Sequence, residues 1–351
     1  MTLPAEGPLG IVHLLLTRRF AGSERHALEL AAGQARAGHE VHLVLRRAGT
    51  QERADAIAGR VDPGVRVHVV GDLLASWQAR RLVRRLAPHV AHAHLSGGCR
   101  ALKGWRDPAI LRVATLHIRY KPAQHADLDG LIAIAPWQLP AIPAALRARS
   151  AQIDNWTLPA RVPAEARAQM RAEWGIDADA FVFGALGRAE PGKGLDVLLQ
   201  AWERAALPAD ARLVIVGQGS AWKSLRAAAP RSVVMPGFAA RPSHWLAAFD
   251  VFVSAARDEP FGLVLLEAME SGLPVIASAS EGACHLQAVI AAPLVPVGDA
   301  DALARALGDA YRERVARRRY ALDAFRIEPK LAEIEAFYRG VDAARLTTAG
   351  G

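Results

Sequence analysis

Residues 187–194 and 259–267 carry the side chains best suited to chemistry in this chain. The first run, Gly187-Arg188-Ala189-Glu190-Pro191-Gly192-Lys193-Gly194, sets two cations in a glycine-rich loop. Arg188 offers a forked guanidinium and Lys193 a compact ammonium, and both suit phosphate oxygens. Gly192 and Gly194 let backbone N–H groups come close to an anion. The second run, Glu259-Pro260-Phe261-Gly262-Leu263-Val264-Leu265-Leu266-Glu267, holds a pair of carboxylates, which accept hydrogen bonds strongly from hydroxyl groups. Phe261-Gly262-Leu263 should open a helix whose free N–H groups form a second anion site. Glu259 then falls on the loop before that helix and Glu267 inside it, a placement that separates their tasks, one toward sugar hydroxyls and one toward ribose hydroxyls. Together the two runs describe a pocket for a diphosphate and a sugar, neutralised by fixed cations and backbone dipoles instead of a metal.

Both runs sit at strand-to-helix junctions. Apolar stretches predict strands at 10–16, 41–46, 66–70, 90–94, 111–117 and 130–135, and a second series at 180–186, 211–217, 232–236, 249–254, 273–278 and 293–297. Between the first two strands a helix is expected from Ser23, as its N-cap, to Gly38, as its stop. Strands alternating with helical stretches predict an α/β chain with two doubly wound, Rossmann-like parallel sheets facing each other across a cleft. Ligands in such folds bind at the carboxyl ends of strands, and Arg188, Gly217, Glu259 and Glu281 all follow predicted strand ends. The proline-containing stretch Thr157–Pro163 reads as a hinge. The expected division is 1–156, 157–325 and a final helix with a short disordered tail over 326–351.

The motifs G-R-x4-K-G-x-D (from Gly187), E-P-F-G-L-x3-E-A-M-x-S-G-x-P-V-I-A (from Glu259) and G-S-E-R-H-A-L-E-L (from Gly22) resemble the retaining glycosyltransferases of the GT-B fold, family 4, also called group 1. The resemblance covers roughly residues 10 to 340. It implies that the second half binds a nucleotide-sugar, the first half binds the acceptor, and the last helix crosses back onto the first domain. It assigns Arg188 and Lys193 to the diphosphate, Glu259 to donor-sugar hydroxyls and Glu267 to the ribose. Phe261, Gly262 and Leu263 give backbone contacts to sugar and phosphate. His117 matches a histidine that reaches into the cleft near the transferred sugar, and Gly22 a glycine loop facing the diphosphate. The family has two glycines in that loop where this chain has Ala21-Gly22, and the extra methyl group tightens it. Two further loops could hold the nucleobase: one at Gly217, the other at Phe238, Ala239 and Arg241 with His244.

Other chemistries fit less well. Gly187-x4-Gly192-Lys193 lacks the Ser or Thr with which a phosphate-binding NTPase loop holds magnesium, since Gly194 follows. Asp-x-Asp pairs at 127/129, 177/179 and 299/301 could be metal ligands, but chance and helix capping explain them more simply. His92 and His94 should share one strand face, with a cleft-facing or structural role preferred to zinc, because no cysteine or carboxylate completes a ligand set.

The 351 residues allow two domains, and 52% apolar with 22% charged residues is ordinary for a folded protein. No apolar run reaches the roughly 18 to 20 residues that span a bilayer. Cys99 and Cys284 fall in different halves, so a cytoplasmic protein without disulfides is expected. The net charge of +8 rests almost wholly on arginine and reads as compositional, not as a sign of nucleic-acid binding. Arg80, Arg81, Arg84 and Arg85 line one side of a helix with Leu82, Val83 and Leu86 on another. That pattern suits either a solvated outer face or peripheral contact with an anionic membrane at its inner face.

The expected activity is metal-independent, retaining transfer from a nucleotide diphosphate sugar, UDP-sugar foremost, to a glycan or glycolipid hydroxyl, as in lipopolysaccharide synthesis. No separate cofactor is expected. An epimerase or phosphorylase on the same fold, or a non-catalytic nucleotide-binding protein, are the alternatives.

Overall fold

The structure, a computed structural model, describes residues 3–4, 6–53, 55–159 and 161–349. It divides into two compact units, Met1–Asn155 with Ile327–Gly351, and Trp156–Arg326.

The first unit is built on seven parallel strands: β1 (Gly10–Leu15), β2 (Glu40–Arg46), β3 (Arg66–Val70), β4 (Val90–His94), β5 (Leu111–Leu116), β6 (Gly130–Ala133) and β7 (Ala151–Gln152). Their order is β3-β2-β1-β4-β5-β6-β7. β4, β5 and β6 are buried along their whole length, as expected for parallel strands covered on both faces. The long helix Ile327–Ala349 belongs to this unit and packs against Gly22–Arg36, where the Gln34 amide donates to the Tyr338 hydroxyl at 3.2 Å.

Three expectations change here. The first helix starts at Gly22, with the extended Ala21 as N-cap and no side chain closing the turn. Ser23 therefore lies inside the helix, where Arg25 N–H reaches the Ala21 carbonyl at 2.9 Å. The final helix runs on to Ala349 where a short disordered tail was expected, as Ala343, Ala344 and Arg345 favour helix. β7 is an added edge strand too short to leave a periodic signal.

The second unit holds β8 (Phe181–Leu186), β9 (Ala211–Val216), β10 (Val233–Gly237), β11 (Val251–Ser254) and β12 (Val275–Ala277), all parallel, in the order β10-β9-β8-β11-β12. The strand expected over 293–297 is reduced to one bridge between Ser278 and Val295. Pro293 and Pro296 flank Val295 and have no N–H for a ladder.

Both sheets reverse their winding once. β1 lies between β2 and β4, and β8 between β9 and β11. These are the topological switch points at which open α/β sheets bind ligands.

Candidate active site

At the switch point of the second unit, backbone bonds lace the loops leaving β8, β9, β11 and β12. Arg257 and Asp258 N–H groups donate to the Gly192 carbonyl at 2.8 and 3.0 Å, and Gly282 N–H donates to the Glu259 carbonyl at 2.7 Å. Gly194 is left-handed (φ +60°), and a Cβ there would stand 1.9 Å from the Ala255 carbonyl oxygen. At Gly217 (φ +135°) a Cβ would stand 1.7 Å from the Gly187 carbonyl oxygen, so this approach also needs glycine.

This lacing joins two groups distant in sequence. Lys193 Nζ donates to Glu259 Oε2 at 2.6 Å, and Gly262 N–H, at the start of the helix Leu263–Glu270, donates to Glu259 Oε1 at 3.2 Å. The sequence suggested separate tasks for the ammonium and the carboxylate. In the structure they form one part-buried ion pair at a helix mouth. Arg188 is exposed on the same loop. Phe261 is buried against His285 and Phe325, so it can offer a ligand only its backbone. Leu263 opens the helix and Glu267 stands half-buried one turn later. The Gly217 N–H donates to the Gly237 carbonyl at 2.7 Å, tying that loop to the segment with exposed Phe238 and Arg241 and half-buried Ala239 and His244.

Two supports went unseen in the sequence. The Ser220 hydroxyl and its N–H, the latter at 3.2 Å, donate to Glu190, and these bonds, more than the nearby Arg188 charge, hold that carboxyl below its usual range. Arg257 grips Asp196 through two nitrogens at 2.7 and 2.6 Å, bracing the segment after Lys193. Both pairs link residues 30 or more positions apart, so local spacing gave no hint of them.

The switch point of the first unit has a different character. His13 from β1, His92 and His94 from β4, and His117 just after β5 form a buried group, with His26 edge-on to His117 at a ring separation of 5.1 Å. His92 and His94 stack at 4.4 Å, as their shared strand face predicts. Gln34 Oε1 lies 2.7 Å from His13 Nε2, His13 Nδ1 lies 3.0 Å from His94 Nε2, and His94 Nδ1 lies 3.1 Å from His117 Nε2. His92 bonds to the Tyr338 and Thr115 hydroxyls at 2.7 and 2.8 Å. Burial pushes His13 down to about 4 and His117 to about 3, and holds His26, His92 and His94 well below the ordinary imidazole range, so all five are neutral. Nitrogens of His13, His92 and His94 lie within 4.8 Å of one another, close enough for a shared cation. Each of these rings already commits both nitrogens to hydrogen bonds. His89 stands apart, accepting from the Gly10 N–H at 2.8 Å. Gly22 is exposed at the start of its helix.

Two family models match this chain: residues 20–161 fit Glycosyltransferase Family 4 and residues 180–313 fit Glycosyl transferases group 1. The chain belongs to the group 1, family 4 glycosyltransferases. It is 32% identical over 168 residues to a D-inositol 3-phosphate glycosyltransferase of Xylanimonas cellulosilytica, a match covering 45% of this chain and 37% of that relative. It is 33% identical over 175 residues to the lipopolysaccharide core biosynthesis glycosyltransferase LpsE of Rhizobium meliloti, covering 48% and 49%. The chain thus spans less than half the length of these curated relatives. Anabaena HepE, solved with UDP and glucose, shares its fold with a TM-score of 0.71 at 19% identity, covering 98% of this chain and 100% of HepE. The architecture is GT-B.

Other charged groups of the chain serve its own framework. Asp127 and Asp129 hold the buried Arg112 guanidinium at 3.3 and 3.0 Å, and Asp299 caps the helix Ala300–Glu313 through the Ala302 N–H at 2.8 Å. The arginine helix, Ala75–Leu86, also departs from expectation. Arg80 donates to the Ala101 and Lys103 carbonyls at 2.8 and 2.6 Å, and Arg84 stacks over Trp105 at 5.1 Å. Both are spent within the unit, because the helix packs beside residues 95–105. Arg81 and Arg85 stay exposed, Arg81 over the exposed Trp77 ring at 5.0 Å, and Leu73 and Leu74 are exposed just before the helix. Among the described residues no helix is long and apolar enough to cross a membrane.

Proposed function

We propose that this glycosyltransferase moves a sugar from a nucleoside diphosphate sugar to an acceptor hydroxyl, with retention at the anomeric carbon and without a metal. The observation that carries this reading is the Lys193–Glu259 pair at the mouth of the helix Leu263–Glu270, with a cation, a carboxylate and a helix N-terminus held within hydrogen-bond reach of one another. An incoming diphosphate competes for Lys193, Arg188 and the Gly262 N–H, and frees Glu259 to accept from sugar hydroxyls. Glu267 takes the ribose, and the Gly217 and Phe238–Arg241 loops with His244 take the base. His117 and Gly22 supply the substrate contacts of the first unit.

In the transfer, the bond from the anomeric carbon to the phosphate oxygen breaks while a bond to the acceptor oxygen forms on the same face. The acceptor proton passes to the departing phosphate. Lys193, Arg188 and the helix mouth stabilise the charge that develops on that leaving group. A UDP-sugar is the donor of first choice, because the fold is shared with a protein solved with UDP and glucose. A glycan or glycolipid acceptor of the cell envelope is favoured by the likeness to LpsE. The surface of Leu73, Leu74, Trp77, Arg81 and Arg85 suits peripheral contact with an anionic membrane from the cytoplasmic side.

A thermal-shift panel of UDP, GDP and ADP with their glucose and mannose conjugates tests the donor. NMR of the product tests the anomeric outcome, and EDTA tests the metal. Stabilisation by one nucleoside diphosphate family, an unchanged anomeric configuration and indifference to EDTA are expected. Release of an epimerised nucleotide-sugar with no acceptor glycosylated would instead make the protein an epimerase.

A further inference from the structure

The histidine group of the first unit has a direction that can be read from one end. Gln34 is buried, its amide nitrogen donates to the Tyr338 hydroxyl at 3.2 Å, and its oxygen faces His13 Nε2 at 2.7 Å. An amide oxygen only accepts, so His13 Nε2 must carry the proton. A neutral imidazole has a single N–H, which leaves His13 Nδ1 as an acceptor and makes His94 Nε2, 3.0 Å away, its donor. The same step repeats once more. His94 Nδ1 accepts, and His117 Nε2, 3.1 Å away, donates. The chain of bonds ends with a lone pair on His117 Nδ1, which makes no hydrogen bond among the described residues.

The other arm agrees. The Tyr338 hydroxyl, accepting from Gln34, donates to His92 Nδ1 at 2.7 Å, and the His92 Nε2–H donates to the Thr115 hydroxyl at 2.8 Å. One amide thus sets the tautomer of four rings. Turning that amide over would reverse both arms and make His117 Nδ1 a donor.

We propose that Gln34, acting through His13 and His94, is a positioning residue that fixes His117 as its Nε2–H tautomer and so presents Nδ1 as an acceptor for a substrate hydroxyl. This rests on the assignment of His117 to a substrate contact made above. The consequence is selectivity of orientation. A hydroxyl at His117 must donate to the ring and keeps its own lone pairs free, whereas the opposite tautomer would claim one of them.

The test is two-bond ¹H–¹⁵N correlation spectroscopy on protein labelled at histidine, at neutral pH, with His117 assigned through His117→Asn. The wild-type spectrum should show His117 in the Nε2–H form. Gln34→Met, which nearly preserves side-chain volume, should release it into a mixture of tautomers. Tyr338→Phe should disturb His92 while leaving His117 in place, which a merely structural role for Gln34 would not distinguish. With UDP-glucose as the probe donor, kcat/KM of Gln34→Met should fall in proportion to the competent tautomer lost, about twofold for an even mixture. An Nδ1–H form in the wild type overturns the proposal even if Gln34→Met fails to fold. So does an unmoved His117 in Gln34→Met, or a stoichiometric metal ion found by elemental analysis. A protein that shows these tautomer changes but transfers no sugar refutes the function proposed above and leaves the hold of Gln34 on His117 standing.

Discussion

Where strand order reverses, β1 and β4 bring together uncharged imidazoles, whereas the loops leaving β8 and β11 bring together a lysine, a glutamate and glycines. The topology around the two points is alike, and the depth of the polar groups is what differs. His13 and His92 sit within the strands, sealed by helices, so they must stay neutral and satisfy one another. Lys193 and Glu259 sit beyond the strand ends, part-buried, where an ionised pair keeps some solvent and can exchange partners with a ligand. One architecture can hold a neutral hydrogen-bond array or an exchangeable charge pair, according to how far past the strand the residue falls.

Acid should separate the two units most strongly. The folded His13 and His117 take up protons only near pH 4 and 3, while the unfolded chain takes them up near 6.5. Their contribution is therefore complete above pH 6.5 and is lost as pH falls toward those values, at about 1.4 kcal/mol per pH unit for each ring. His26, His92 and His94 act in the same direction, with the Arg25 charge and the neighbouring rings adding to the effect of burial on His26. All the buried histidines among the described residues lie in the first unit. Hydrogen exchange at pH 5 should show β1 and β4 losing protection well before β8 and β9, and equal protection would erase the contrast.

Lys193→Ala should come next, lowering turnover about a hundredfold or more, since a charge-stabilising contact of this kind contributes about 2.7–4 kcal/mol in the transition state. Near-normal turnover with an intact circular dichroism spectrum would remove the chemical role claimed for the second switch point. Gly194→Ala adds a Cβ 1.9 Å from a backbone oxygen at φ +60°. It should cost about 2–3 kcal/mol of stability in the second unit, seen as a lower urea midpoint. The smallest effect belongs to the outer face of the first unit. Replacing Arg81 and Arg85 with serine should weaken sedimentation with phosphatidylserine vesicles by about 1 kcal/mol per residue, and unchanged binding would take the membrane out of the picture.

Much of this was legible in the sequence, for a physical reason. The candidate groups at 259–267 follow one another along a single loop and helix, so their spacing could be read without the fold. Parallel strands buried on both faces give continuous apolar runs, and that is why the strand pattern was readable except at the two-residue β7 and near Pro293 and Pro296. The contact between Lys193 and Glu259 depends on β8 pairing with β11, a long-range fact that no local pattern encodes. The histidine array was less accessible still, because Gln34, His13 and His94 come from three separate elements, His117 from the turn after β5 and Tyr338 from the last helix. Arg80 looked like a surface charge until the carbonyls of residues 101 and 103 were seen beneath it.

Tyr338 also has a bearing on how the chain is made. It completes the polar interior of a unit whose strands were all translated before residue 155, with the whole second unit in between. On the ribosome, the N-terminal layers must wait for some 170 residues to emerge, with His92 and the Gln34 amide missing a partner throughout. A fragment cut at residue 155 would lack Tyr338 and leave His92 Nδ1 and the Gln34 amide without that partner.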